Sequence, residues 1–181
     1  MKKALLLAAA LLFAVCTNLQ PCRAVWVDGV RSEKLYGARE IRLGEAAAEA
    51  AAEEIVRGEP ALPRVRTAPA LSFRAPDGTA GELCDLILSH TEGVTRLYSV
   101  RAGELCFGTV EDAEKLEEKL RASLYSRMPP TSGRARYSEP IELIPVYGLS
   151  GSDTPYRDMA QLVAGAVPAV FTDSDGHIVQ G

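Results

Sequence analysis

Apolar residues along this chain change period from segment to segment, and the succession of periods occurs twice. Val25, Trp26 and Val27 run into Asp28-Gly29. Asp-Gly suits the positive φ angles of a tight hairpin, so Ala24 to Val30 is predicted to be a strand and its turn. Ile41, Ala48, Ala52 and Ile55 share one side of a helix, and the alanine-rich run EAAAEAAAEEIV predicts that helix over Arg39 to Arg57, stopped at Gly58. Glu45, Glu49 and Glu53 then line up as an acidic stripe facing water. Ala70 to Ala75 alternates as a strand, with Leu71 and Phe73 on one face. Thr79 and Glu82 have the spacing of a capping box, Leu83, Leu86 and Ile87 form the apolar face of the helix that follows, and Gly93 marks its exit. Leu97 to Val100 is the next strand.

The order then returns. Gly103 and Gly108 bracket a hairpin finished by Leu105 and Phe107, Thr109 and Asp112 are the available caps, and Ala113, Leu116, Leu120 and Leu124 draw a helical stripe. After Pro129-Pro130, Ile141 to Tyr147 reads as a strand apolar at Ile144 and Val146 as well as at Ile141 and Leu143, which predicts cover on both faces. Thr154 with Pro155 at the first helical position opens a helix running to Gly165. The run from Thr79 aligns with the run from Thr154, and the run from Val94 with that from Val167, the offset shifting from 75 to 73 residues. A period of that length is longer than a solenoid repeat and indicates duplication of a small domain. The predicted fold is therefore α+β: two tandem copies of a hairpin-helix-strand-helix-strand unit with mixed sheets, residues 25–100 and 101–173, and a closing hairpin that ends over 174–181.

The first 24 residues differ in kind. Lys2 and Lys3 precede an apolar run from Ala4 to Val15, and Cys22-Arg23-Ala24 offers a small-x-small cleavage site, so residues 1–24 read as a signal peptide. The run of about a dozen residues is shorter than the roughly 20 of a membrane-spanning helix, which favours a cleaved leader over a retained anchor. The branched Val15 before Cys16 disfavours lipid attachment there. The mature protein is expected to be secreted or envelope-associated, with no transmembrane segment. Loss of Lys2, Lys3 and Arg23 takes the formal net charge from −4 to −7, which argues against nucleic acid as a partner.

Candidate chemistry is sparse. Cys84 and Cys106 remain after cleavage as a possible disulfide, which needs their Cα atoms within about 7 Å; both also suit the helix and strand they occupy as small apolar residues. Their separation by 21 residues does not fit a C-x-x-C redox motif. His90 and His177 are the two histidines, with no H-x-H or H-x-x-x-D pair, and no phosphate-cradling glycine motif occurs. Asp173 and Asp175 lack the third aspartate and distant glutamate of a calcium loop, so a hairpin turn accounts for them. No catalytic residue, metal site or cofactor is expected. The one repeated functional feature is an arginine pair in each unit, Arg64 with Arg66 and Arg134 with Arg136, placed in the helix-to-strand connections near prolines. Guanidinium forks suit phosphate and carboxylate.

VWVDG from Val25, YSVRAGELCFGTVEDAEKLEEKL from Tyr98 and TPYRDMAQLVAGAVPAVFTDSDG from Thr154 resemble the N-terminal duplicated region of secreted Firmicute cell-wall proteins. In those proteins such units precede LysM or glycine-rich envelope modules and a lysostaphin-type zinc endopeptidase domain. The resemblance implies an envelope location and peptidoglycan, teichoic acid or an envelope protein as partner. It implies no catalysis by this chain, because the zinc ligands of the endopeptidase have no counterpart here. The expected role is an exported, non-catalytic binding, spacer or scaffold module. The alternatives are an accessory segment or subunit of a peptidoglycan hydrolase whose catalytic domain lies elsewhere, and a thiol-redox protein using Cys84 and Cys106.

Overall fold

A computed structural model describes residues 19–179. The lysines and apolar run of the expected leader lie outside the described residues, as does the end of the closing hairpin, Gln180 and Gly181. In chain order the elements are β1 (Gln20–Val27), β2 (Val30–Tyr36), α1 (Ala38–Val56), β3 (Val65–Ser72), α2 (Ala80–Ser89), β4 (Val94–Ala102), β5 (Leu105–Val110), α3 (Ala113–Ser126), β6 (Arg134–Tyr137), β7 (Ile141–Leu149), α4 (Tyr156–Ala166), β8 (Ala169–Thr172) and β9 (Ile178–Val179). The fold is α+β. The chain divides between Val94 and Thr95 into two compact units. That boundary lies six residues before the one expected from sequence, which would have cut β4 in the middle. Nearly the whole of β4 stays with the hairpin it forms.

One three-stranded arrangement occurs three times. The sheets run β2-β1-β3, β5-β4-β7 and β6-β8-β9. In each, the first strand of a hairpin is central, flanked by its hairpin partner and by one further strand. The hairpins β1–β2 and β4–β5 both shift register shortly before the turn, between Ala24 and Trp26 and between Val100 and Arg101. Two of the flanking edge strands carry a proline, Pro69 in β3 and Pro145 in β7, which cannot donate to a further ladder and so ends each sheet there.

In the first unit, Asp28 (φ 48°) and Gly29 (φ 83°) make the expected turn. The Asp28 carboxylate accepts from the Arg64 amide at 2.8 Å, tying the turn to the start of β3. Strand β1 begins at Gln20, pairs with β3 without interruption to Val27, and buries Cys22, Ala24, Val25 and Val27. A cleavage after Ala24 would therefore remove more than half of a central strand, and Cys22 belongs to the core. Helix α1 buries Ile41, Gly44, Ala48 and Ala52, and α2 buries Leu83, Ile87 and Leu88. A Cβ on Gly44 would lie 2.9 Å from the Ala80 carbonyl and 3.0 Å from the Leu83 Cβ, so glycine sets the closeness of the two helices. The Thr79–Glu82 capping box forms as expected. Helix α1 stops one residue earlier than Gly58 would require, because Arg57 itself adopts the left-handed conformation at φ 52°.

Two strand expectations change. Strand β3 starts at Val65, ahead of the predicted Ala70, and Leu71 and Phe73 are exposed to 67%; they face away from the core. Strand β7 packs Ile141 and Leu143 on the core, while on its other face Ile144 is exposed and Val146 half-buried, so that face is covered only in part.

The core of the second unit is built from larger side chains. Leu116, Leu120 and Leu124 of α3 meet Met159, Ala160 and Val163 of α4, over Val100, Ala102 and Val110 of the hairpin. Tyr137 joins them, its hydroxyl donating to the Leu120 carbonyl at 3.3 Å. Asp112 is the cap of α3, accepting from the Lys115 amide at 2.9 Å, while Thr109 stays in β5. Thr154 does not cap α4: its amide donates to the Thr109 carbonyl at 2.8 Å, and Pro155 occupies the cap position. The strand β6 had no counterpart in the expected order. It completes the third sheet, supplying β8 with a partner from earlier in the chain.

Candidate functional site

Both arginine pairs lie on or beside edge strands, where connections had been expected. In β6, Arg134 and Arg136 alternate with the core-facing Ala135 and Tyr137, so both guanidiniums project from the opposite face. In the first unit Arg64 immediately precedes β3, held through its backbone to Asp28, and Arg66 lies within the strand opposite Trp26. All four are exposed, and none makes an ion pair with another described residue. Two residues that the sequence did not single out belong with them. Trp26 pairs across β1–β2 with Arg31, whose guanidinium carbon lies 5.7 Å from the centre of the indole ring. The signal was present in the V-W-V run and the arginine just after the Asp-Gly turn, once that turn is read as bringing Trp26 and Arg31 abreast.

Charge separates by element in the first unit. The three strands of its sheet carry Arg23, Arg31, Lys34 and Arg66 against Glu33. Helix α1 carries Glu40, Glu45, Glu49, Glu53 and Glu54 against Arg39 and Arg42. Lys34 is engaged by Glu82, joining β2 to α2. The Lys34 ammonium, hydrogen-bonded to the Glu82 carboxylate, holds that carboxyl down to about 2, with the Thr79 amide helping. The remaining cations of the sheet have no ion-pair partner among the described residues.

Two clefts stand out among the described residues of the second unit. One, of about 560 Å³, lies where α3 and α4 begin, between Tyr98 and Tyr156, and is lined by Glu111, Asp112, Glu114 and Asp153. Carboxylates there meet the positive ends of two helices, which accounts for their placement. The other, of about 530 Å³, is floored by Leu120, Leu124 and Tyr137 and has Arg136 in its wall together with Glu117 and Glu139. Arg136 therefore lines a cleft of mixed charge, with Arg121 as well as Glu117 and Glu139.

Cys84 and Cys106 are free thiols, one in each unit, and Cys22 is a third, buried one. Burial pushes the Cys84 thiol up, as does Asp85. The Gly108 amide and the Ser99 hydroxyl, 3.9 Å away, hold the exposed Cys106 thiol below its ordinary value. Asp173, Asp175 and His177 bring their ligand atoms within 4.8 Å of one another. One Asp173 oxygen already accepts from the amides of Asp175 and His177 at 3.0 and 2.8 Å, the bonds of the hairpin turn read from the sequence. His90 caps the end of α2.

No protein-family model, curated protein or solved structure matches this chain. The likeness to secreted cell-wall proteins thus stands on the quoted residues alone.

Proposed function

We propose that this chain is an exported, non-catalytic binding module of the cell envelope that holds anionic wall polymers on its arginine-bearing strands. The observation that carries the reading is the placement of Arg64, Arg66, Arg134 and Arg136. Each unit presents a pair of exposed guanidiniums on or beside an edge strand, none of them in an ion pair with another described residue. Arginine forks left open to solvent suit phosphate or carboxylate ligands, which they attract locally even though the chain as a whole is acidic. The basic residues and apolar run of the first 15 residues support export. No helix among the described residues is long and apolar enough to cross a membrane. Processing before Gln20 would leave β1 whole, so the mass of the exported protein should include Cys22 and Arg23.

The test is sedimentation of the protein with purified sacculi, with and without their teichoic acid, beside a variant in which Arg64, Arg66, Arg134 and Arg136 are alanine. The reading expects sacculus binding that the variant loses. Failure of the unaltered protein to bind either preparation overturns it.

A further inference from the structure

Arg31, Trp26 and Arg66 stand abreast across the three strands of the first sheet, Trp26 being the register partner of both arginines. Directly paired residues of an antiparallel sheet project to the same face. With strands about 4.8 Å apart, the two arginine backbones are separated by roughly 10 Å with the indole between them. The Arg31 guanidinium lies over that ring, 5.7 Å from its centre. A cation over a ring face is attracted to it without an ion-pair partner, so Trp26 holds the Arg31 fork in advance while its N–H groups remain available to a ligand. A fork held in this way loses little freedom when it takes an oxyanion in two hydrogen bonds. Arg66 supplies a second fork from the strand on the other side of Trp26, and neither arginine has an ion-pair partner among the described residues.

We infer that this row is a binding surface for a phosphodiester-linked polyol chain, successive phosphates meeting Arg31 and Arg66. Two guanidiniums without an ion-pair partner among the described residues favour an anionic ligand, and their separation across the sheet favours a repeating one. A polyol phosphate is favoured over a nucleic acid because Arg31 lies over one face of the indole, which reduces the platform that a base could stack on. The identity of the polymer rests on the envelope reading above; the phosphate site does not.

Trp26 is the one tryptophan of the chain, so its emission reports this row directly. Purified protein expressed from the full chain is titrated with a glycerol-phosphate hexamer, with poly-glutamate of matched charge and with oligothymidylate, at low and at physiological salt. The hexamer should change the emission saturably and bind more weakly as salt rises. Arg31→Gln and Arg66→Gln should each weaken it about tenfold, the change expected for loss of one charge-assisted hydrogen-bonded pair. Arg31→Lys, which keeps the charge but not the fork, should weaken it nearly as much, and Glu33→Gln should not weaken it. Equal binding of poly-glutamate or oligothymidylate overturns the assignment to polyol phosphate. Unchanged hexamer binding by the Arg31→Gln, Arg66→Gln double variant overturns the site, provided its circular dichroism matches the unaltered protein. The same double variant is sedimented with sacculi. Retained sacculus binding without a hexamer response removes the row and leaves the envelope reading; a hexamer response without sacculus binding does the reverse.

Discussion

The two units build similar helix pairs beside similar hairpins from side chains of different size. In the first, Gly44, Ala48 and Ala52 let α1 come close to Leu83 and Ile87 of α2. In the second, Leu116, Leu120 and Leu124 fill the space against Met159 and Val163. Their charges differ in the same sense. Glu82 reaches across 48 positions of sequence to Lys34 on another element, whereas Asp112 takes Lys115 of its own first turn. The first unit thus depends on close approach and a tie between elements, and the second on bulk and local caps.

Truncation separates them most. Leu116 is fully buried, so Leu116→Ala should lower the stability of the second unit by about 2–5 kcal/mol, read from urea unfolding by circular dichroism. The same loss of bulk has no equivalent at Gly44. There enlargement is the harmful change: Gly44→Leu should cost the first unit about 1–3 kcal/mol, followed through Trp26 emission. If Gly44→Leu is neutral, the helices do not need their close approach and the contrast fails.

Acid sharpens the comparison further. The depressed carboxyl of Glu82 stabilises the folded first unit fully above its ordinary value near 4.5, and that stabilisation is lost as the pH falls toward about 2. Lys34→Met should flatten this part of the unit's acid-unfolding profile. Lys115→Met should change the acid profile of the second unit less, because the Asp112–Lys115 pair joins no separate elements. The smallest effect expected is at the helix ends. Arg57→Gly should stabilise by about 0.5–1 kcal/mol by relieving a left-handed residue, while Arg127→Gly, at φ −102°, should give no gain in thermal unfolding.

What could be read from the sequence follows the range of the interactions. The Asp28-Gly29 turn, the Thr79–Glu82 box and the leucine stripe of α3 are set by residues within a turn or two of one another, and all three form as expected. Strand β6 was not legible, because Arg-Ala-Arg-Tyr is too short and too charged to show a period; it is a strand because β8 lies beside it. Alternation placed Leu71 and Phe73 on one face of a strand without saying which side is covered, and that face is the exposed one. The proline in β3 was the available clue that this strand is an edge. For the candidate site, Arg66 was visible as half of an R-x-R pair. Its alignment with Trp26 and Arg31 depended on a pairing between segments forty residues apart, which no local pattern encodes.

The central place of β1 has a kinetic consequence. Val27 pairs with Val30 on one side and with Val65 on the other. Closing the first contact needs only the turn, on the microsecond scale of a hairpin; closing the second also requires the chain through α1 to bring its ends together. The first sheet should therefore assemble in two steps, β1 with β2 and then β3. In pulsed hydrogen exchange during refolding, amides bonded between β1 and β2 should gain protection before those between β1 and β3.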